Sequence, residues 1–388
     1  METIQDLLKK FIDITDSDQN RKNRELWQNT DKPWLRDMWR GIPKDNLKTT
    51  PFTIAPDNSM WSYILDIDLR DYYKSAEEHL KNQLKLKIWH YNNFKDNTYF
   101  RKDLYIWFGV VTELSLFTNK IKFFPKREGW LKENLIKEKK DLLSLKIPDF
   151  YNSGLMPRIH DFYEKINNII KSSSKLEVMF PDWVRGPFCI AIHLRGMENF
   201  LIDMIEDPNF VHDLMRFVTD SRKQFSRKRS GFLNKPMPKG KLFNDEISTP
   251  IISKPLYDKF ILPYEIELSE FYGGIEYWHS CGQTTDFYKS IAQIPGLEML
   301  HISPWADLSK AVEIFDENIA FDICLDPHVD VLESNKENME RKIKEIETIC
   351  KGRKHAIRAD AFQAINTLEK DLKKIKIWGK IAANVLST

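Results

Sequence analysis

The period of the apolar pattern changes along the chain. Near the N-terminus Ile4, Leu7, Leu8 and Phe11 recur at helical spacing, so residues 1–45 read as a helical extension. Beyond them, short runs of β-branched and aromatic residues alternate with longer amphipathic stretches. The strand candidates are 51–55, 104–111, 176–180, 241–243, 274–278, 298–302, 319–323 and 356–357. Helical patterns fill the intervals at 72–89, 159–170, 200–217, 255–271, 284–291, 308–315 and 336–350. Eight strand-then-helix units predict an α/β chain: a single (β/α)8 TIM barrel over residues 46–388, with the N-terminal extension packed on it.

Composition narrows the class. The chain has 388 residues, 42% hydrophobic and 30% charged, which suits a folded core and excludes disorder. A net charge of +2 gives no overall attraction to nucleic acid or anionic lipid. The lysines of 132–140 alternate with acids and aliphatics, as on a solvated helix face. No leader pattern and no apolar run of about 18 residues is present, so the expectation is a cytosolic protein without a membrane partner. Four cysteines in a reducing compartment argue against a disulfide framework. Cys189, in an apolar run, and Cys350, in a helical pattern, read as packing groups.

The strand candidates run into Asp57, Glu113, Asp182, Asp245-Glu246, His279-Ser280-Cys281, Ser303, Cys324 and Arg358/Asp360. In a (β/α)8 barrel these C-terminal ends form the rim that carries catalytic groups. The sharpest signal is Tyr277-Trp278-His279-Ser280-Cys281-Gly282. Residues two apart in a strand point the same way, so His279 and Cys281 can converge on one ion. Nitrogen with sulfur suits zinc. A buried histidine beside a core cysteine is the plainer explanation of that tripeptide alone. Cys324, two strands on along the same rim, shifts the balance as a third ligand, with Glu246 as a further candidate. Trp61, Trp107, Trp183, Trp278 and Trp305 lie near strand ends and are pocket-wall or core residues. Arg185, Arg195 and Arg358 suit either a substrate carboxylate or structural ion pairs. His193 and His301 read as core histidines.

With these residues in place, the chain resembles the uroporphyrinogen decarboxylase superfamily, and within it the zinc-dependent methyltransferases that work with corrinoid proteins. The resemblance runs from Pro51 to the C-terminus. It is clearest in Asp245-Glu246, the Pro-Leu-Tyr-Asp-Lys-Phe-Ile-Leu-Pro-Tyr run from Pro255, His279-Ser280-Cys281-Gly282 and Leu325-Asp326-Pro327. It implies zinc on His279 and Cys281. A further cysteine near the last strand, usual in thiol-methylating members, is replaced by Ile357-Arg358-Ala359-Asp360-Ala361, which leaves Cys324 or Glu246 as third ligand. The decarboxylase's arginine-rich N-terminal signature is absent; the nearest stretch, 34–41, is not that motif.

The function so implied is methyl transfer between a small methylated substrate, or a thiol acceptor, and a separate corrinoid protein. Glu246, Asp245 and Asp182 are the expected catalytic groups, Trp183, Arg358, Trp278 and Trp305 the substrate contacts, and His279, Cys281 and Cys324 the zinc ligands. The corrinoid must come from the partner, since Asp326-Pro327-His328-Val329-Asp330-Val331 lacks the glycine of a cobalamin-carrying motif. No dinucleotide fingerprint or phosphate loop is present. A homodimer is left open. The competing expectations are a metal-free decarboxylase or other lyase using Asp182, Glu246 and Arg358, and a non-catalytic ligand-binding barrel.

Overall fold

All eight expected strands form, and each runs parallel to a neighbour. The computed structural model describes residues 2–28, 41–171, 173 and 175–387. In chain order the strands are β1 (Phe52–Pro56), β2 (Asp103–Tyr105), β3 (Ile121–Lys122), β4 (Trp130–Leu131), β5 (Glu177–Met179), β6 (Gly240–Phe243), β7 (Ile275–His279), β8 (Met299–Ile302), β9 (Ala320–Leu325) and β10 (His355–Phe362). Six of them make one curled parallel sheet in the order β1-β10-β9-β8-β7-β6, and β2 pairs with β5. The short antiparallel pair β3–β4 was not expected. Of the stretch 34–41, weighed above against the decarboxylase signature, residues 34–40 lie outside the described residues.

The differences from expectation have local causes. The run 104–111 stops being a strand at Tyr105. Ile106 N–H still donates to Met179 O at 3.3 Å, but beyond it Trp107 N–H goes to His79 Nε2 at 3.4 Å and Val110 N–H to Glu128 Oε2 at 2.9 Å, and Gly109 turns the chain at φ +85°. The helical stretch 200–217 is two helices, Met197–Glu206 and Pro208–Leu233, because Pro208 has no N–H to continue the first. Helices Pro187–Arg195 and Leu368–Leu386 were not anticipated. Among the described residues, no helix is long and apolar enough to cross a membrane.

Two apolar clusters divide the interior. The larger fills the space between strands and helices and takes in Leu7, Leu8, Phe11 and Ile14 of the N-terminal helix Ile4–Thr15. The smaller lies inside the curl of the sheet: Phe243, Tyr277, Met299, Ala320 and Ala356, from five consecutive sheet strands, meet Trp27 and Ile42. Register places His279, His301, Asp322, Cys324 and Arg358 on that same concave side, further toward the C-terminal ends. The sheet's interior is thus apolar at its base and polar near the rim.

Candidate metal centre

The loops after β6 and β7 are tied together, and this brings their side chains into register. Asn244 N–H donates to His279 O at 2.7 Å, Thr249 N–H to Gln283 O at 2.9 Å, and Gln283 N–H to Ser248 Oγ at 3.0 Å. Gly282 makes the approach possible, since a Cβ there would lie 2.4 Å from Ser248 Cβ. Asp245 therefore sits beside His279, their Oδ1 and Nε2 atoms 3.1 Å apart. Cys281 Sγ is 3.2 Å from the same Nε2.

Oxygen, nitrogen and sulfur donors of Asp245, His279 and Cys281 all lie within 4.8 Å of one another. In a tetrahedral zinc site, ligand atoms at about 2.0–2.3 Å from the ion are about 3.3–3.7 Å apart. His279 lies 3.1 and 3.2 Å from the other two donors, which are themselves within 4.8 Å of each other, so the set fits zinc with a movement of no more than about 1 Å. His279 is buried, Asp245 half-buried and Cys281 exposed, so the cluster is reached from the Cys281 side.

A relay behind His279 fixes its tautomer. Its Nδ1 lies 3.3 Å from Tyr277 Oη, and Tyr277 donates to Asp322 Oδ2 at 2.6 Å. With that hydroxyl proton committed, Nδ1–H of His279 is the donor to Oη, and Nε2 keeps its lone pair for the cluster. Asp322 is held in turn by Arg358, whose Nη2 and Nε lie 2.9 and 3.1 Å from Oδ1. The His301 ring packs 4.1 Å from that of His279 and its Nδ1 lies 2.8 Å from Ser280 O.

Glu246 faces another set of partners. Arg185 lies 3.2 Å from its Oε1 and 3.6 Å from Asp245 Oδ2, and His193 Nε2 makes a short contact with the same Oε1. Burial pushes the Glu246 carboxyl up, but the His193 hydrogen bond and the Arg185 charge outweigh it, leaving the group below its ordinary value. Burial pulls Arg185 down, and Glu246 and Asp245 more than compensate, holding it charged.

The third donor brought to His279 and Cys281 is thus Asp245, expected as a catalytic group, and neither Cys324 nor Glu246. Cys324 is half-buried on β9 with its thiol 3.8 Å from Leu325 O. Burial raises that thiol well above its usual range, Asp360 and Asp322 add to this, and the Cys281 sulfur contributes. Cys350 is buried in the apolar core, as expected, whereas Cys189, also buried, lies outside the apolar clusters with its thiol donating to Asn244 Oδ1 at 4.0 Å.

Trp183 and Trp278 lie in the main core, their indole N–H groups donating to Arg185 O at 3.2 Å and Glu265 Oε2 at 3.1 Å, so neither reaches the cluster. Trp305 is 59% exposed. Asp182 accepts from Trp183 N–H and lines a separate cavity. Arg358 reaches the site through Asp322. Tyr277, Asp322 and His193 were not legible as site residues: His193 falls in an apolar run, and the other two depend on cross-strand neighbours.

Comparison with known proteins adds the family. The model of the family described as uroporphyrinogen decarboxylase (URO-D) matches residues 99–359, a span that holds Asp245, His279, Cys281, Asp322 and Arg358. No curated protein matches. Among solved structures, a methyltransferase from Methanosarcina mazei is similar with a TM-score of 0.64 at 12% sequence identity, over 87% of this chain and 94% of that one. At that identity the likeness is one of fold alone. With a family model covering most of its length, the chain belongs to the uroporphyrinogen decarboxylase (URO-D) family.

Proposed function

We propose that the protein is a zinc-dependent methyltransferase that moves a methyl group between a small methylated substrate, or a thiol acceptor, and a separate corrinoid protein. This reading takes the eight parallel strands as one (β/α)8 barrel of residues 46–388, extended by residues 1–45. The observation that carries it is the Asp245–His279–Cys281 cluster at the C-terminal ends of adjacent strands. The likeness in fold to a methyltransferase supports it. The proposal places the protein in the cytosol.

In this reading Asp245, His279 and Cys281 hold the ion, with Cys324 as the nearby further sulfur. Bound zinc supplies Lewis acidity, which favours a thiolate or eases departure of a demethylated leaving group. Two anionic donors and one neutral donor balance the charge of a divalent ion. The Tyr277–Asp322–Arg358 relay keeps the proton off His279 Nε2. Arg185 holds Asp245 and Glu246 side by side, while ionised Glu246 orients His193 for proton transfer at a substrate atom. Trp305 and Asp182 remain candidates for contacts to substrate or partner. We favour demethylation as the direction, because the cluster supplies one sulfur in place of a thiol-methylating ligand set.

Metal analysis of protein purified without a histidine tag tests the reading. It should give about one zinc per chain, falling below about a tenth of that in Cys281→Ser, which keeps the side-chain shape but loses the thiolate. Stoichiometric zinc in the folded variant would overturn the assignment. A metal-free wild type would favour a lyase working through Asp182, Glu246 and Arg358.

A further inference from the structure

The sheet is interrupted between β5 and β6, and side chains hold the gap in shape. The only backbone pairing across it is at Arg185 and Phe243, where Phe243 N–H donates to Val184 O at 2.9 Å and Gly186 N–H to Phe243 O at 3.0 Å, among the described residues. Elsewhere the edge groups have been taken. Glu113 Oε1 accepts from the N–H groups of Val184 and Arg185 at 3.0 and 3.2 Å. Arg222 donates to Arg185 O at 2.9 Å and Lys241 O at 2.8 Å, and Arg229 to Phe180 O at 2.9 Å and Pro181 O at 2.7 Å. Both arginines come from helix Pro208–Leu233. Backbone groups that would join the strands are therefore satisfied without closing the wall.

A cavity of about 530 Å³ occupies this gap. That is within the range of small-molecule sites. Tyr105, Phe180 and Tyr272 give it aromatic walls, Met179 and Met237 apolar ones, and none of its lining residues belongs to the metal cluster. One lining group is unsatisfied. Glu276 is 2% exposed, its Oε2 pairs with Lys241 Nζ at 2.9 Å, and its Oε1 is buried without a hydrogen-bond partner. A buried acceptor left so is as costly as a lost hydrogen bond.

We infer that this slot binds a small, uncharged, mainly aromatic molecule whose hydroxyl or N–H group donates to Glu276 Oε1. Lys241 already neutralises Glu276, which leaves no call for a cationic ligand. The aromatic walls supply the contact area, and the spare carboxylate oxygen supplies the selectivity. The inference does not rest on the metal reading, with which the slot shares only the lining residue Asp182.

Saturation-transfer NMR with two probes, benzyl alcohol and toluene, tests the inference on the full-length protein. Benzyl alcohol should bind with a Kd on the order of 1 mM, as its size allows. Toluene should bind about tenfold or more weakly, because it leaves the acceptor unpaired. Met237→Trp, which fills the cavity from a partly buried loop position, should abolish binding of both. The double variant Lys241→Met/Glu276→Leu removes both charges together and should make the two probes bind alike. No transfer to benzyl alcohol in the wild type, equal binding of the two probes there, or undiminished binding in Met237→Trp would each overturn the inference. Should the double variant not fold, the wild-type comparison and Met237→Trp still decide.

Discussion

Neighbouring residues on β7 separate two polar clusters of opposite character. Behind the sheet, Trp278 joins Tyr257 and Asn244 in donating to Glu265, at 3.1, 2.5 and 2.7 Å. Glu265 is fully buried and both its oxygens are engaged. In front, His279 meets Asp245 and Cys281 in a cluster that one exposed ligand leaves open. Alternation along one strand thus sends one residue to a carboxylate enclosed by three donors and the next to an open cluster of converging nitrogen, oxygen and sulfur atoms. Enclosure is the mark of architecture, and an open convergence of donors the mark of chemistry. Changes behind the sheet should therefore alter stability without zinc, and changes in front zinc without stability.

The largest expected effect is behind the sheet. Burial is the dominant influence on Glu265 and raises its carboxyl to about 7, although hydrogen bonds from Tyr257, Trp278 and Asn244 pull the other way. A folded-state value above the unfolded one stabilises the protein when the group is protonated. That contribution is complete below the unfolded value near 4.5 and is lost as pH rises through about 7. At about 1.36 kcal/mol per pH unit, the loss is ~3 kcal/mol. The unfolding free energy of the wild type relative to Glu265→Gln should fall by that amount between pH 4.5 and pH 8, as read by urea denaturation. Zinc per folded chain should be unchanged. Parallel stability curves, or a loss of zinc in the variant, would break the contrast.

The relay in front gives the next effect. Partners that orient a metal-binding histidine typically contribute 10–100-fold to metal affinity. Tyr277→Phe removes the hydroxyl to which His279 Nδ1–H donates and leaves the buried Asp322–Arg358 pair intact, so zinc should bind about 10–100-fold more weakly in chelator competition. In the metal-free protein, ¹⁵N NMR of His279 should show loss of the single Nδ1–H tautomer. Unchanged affinity together with an unchanged tautomer would reduce the relay to packing.

These contrasts also show what could be seen in the sequence. The eight parallel strands were legible because all but β5, where Glu177 is exposed, are buried almost throughout, and buried parallel strands are short apolar runs between turn residues. His279 and Cys281 were legible because two-residue spacing is a local property of a strand. Asp245 was visible as a strand-end acid, but its place as the third donor depends on Gly282 passing Ser248, a contact between distant segments. The run from Tyr277 to Arg358 crosses three strands, so it exists only once register is set. His193 was read as core from its apolar neighbours; helix Pro187–Arg195 turns it to Glu246 instead. The gap between β5 and β6 was hidden for a similar reason, since nothing local marks Arg222 and Arg229 as holding carbonyls on strands far away in sequence.

The smallest expected effect is the one that separates the sequence expectation from the geometry. Cys324 was expected as a zinc ligand, and the donors that converge are Asp245, His279 and Cys281. Cobalt in place of zinc distinguishes the two, because thiolate-to-cobalt charge-transfer absorption scales with the number of sulfur ligands. A one-sulfur site loses this absorption almost entirely in Cys281→Ser and keeps it in Cys324→Ser. Cys350→Ser should leave it unchanged as well, since Cys350 lies in the core at the end of helix Lys336–Ile349. A fall by about half in Cys324→Ser would mean that the β9 sulfur joins Cys281 when metal binds. Asp245 would then be the residue to test next: if Asp245→Asn retained full cobalt affinity, the carboxylate would be a neighbour of the site and the cysteine its ligand.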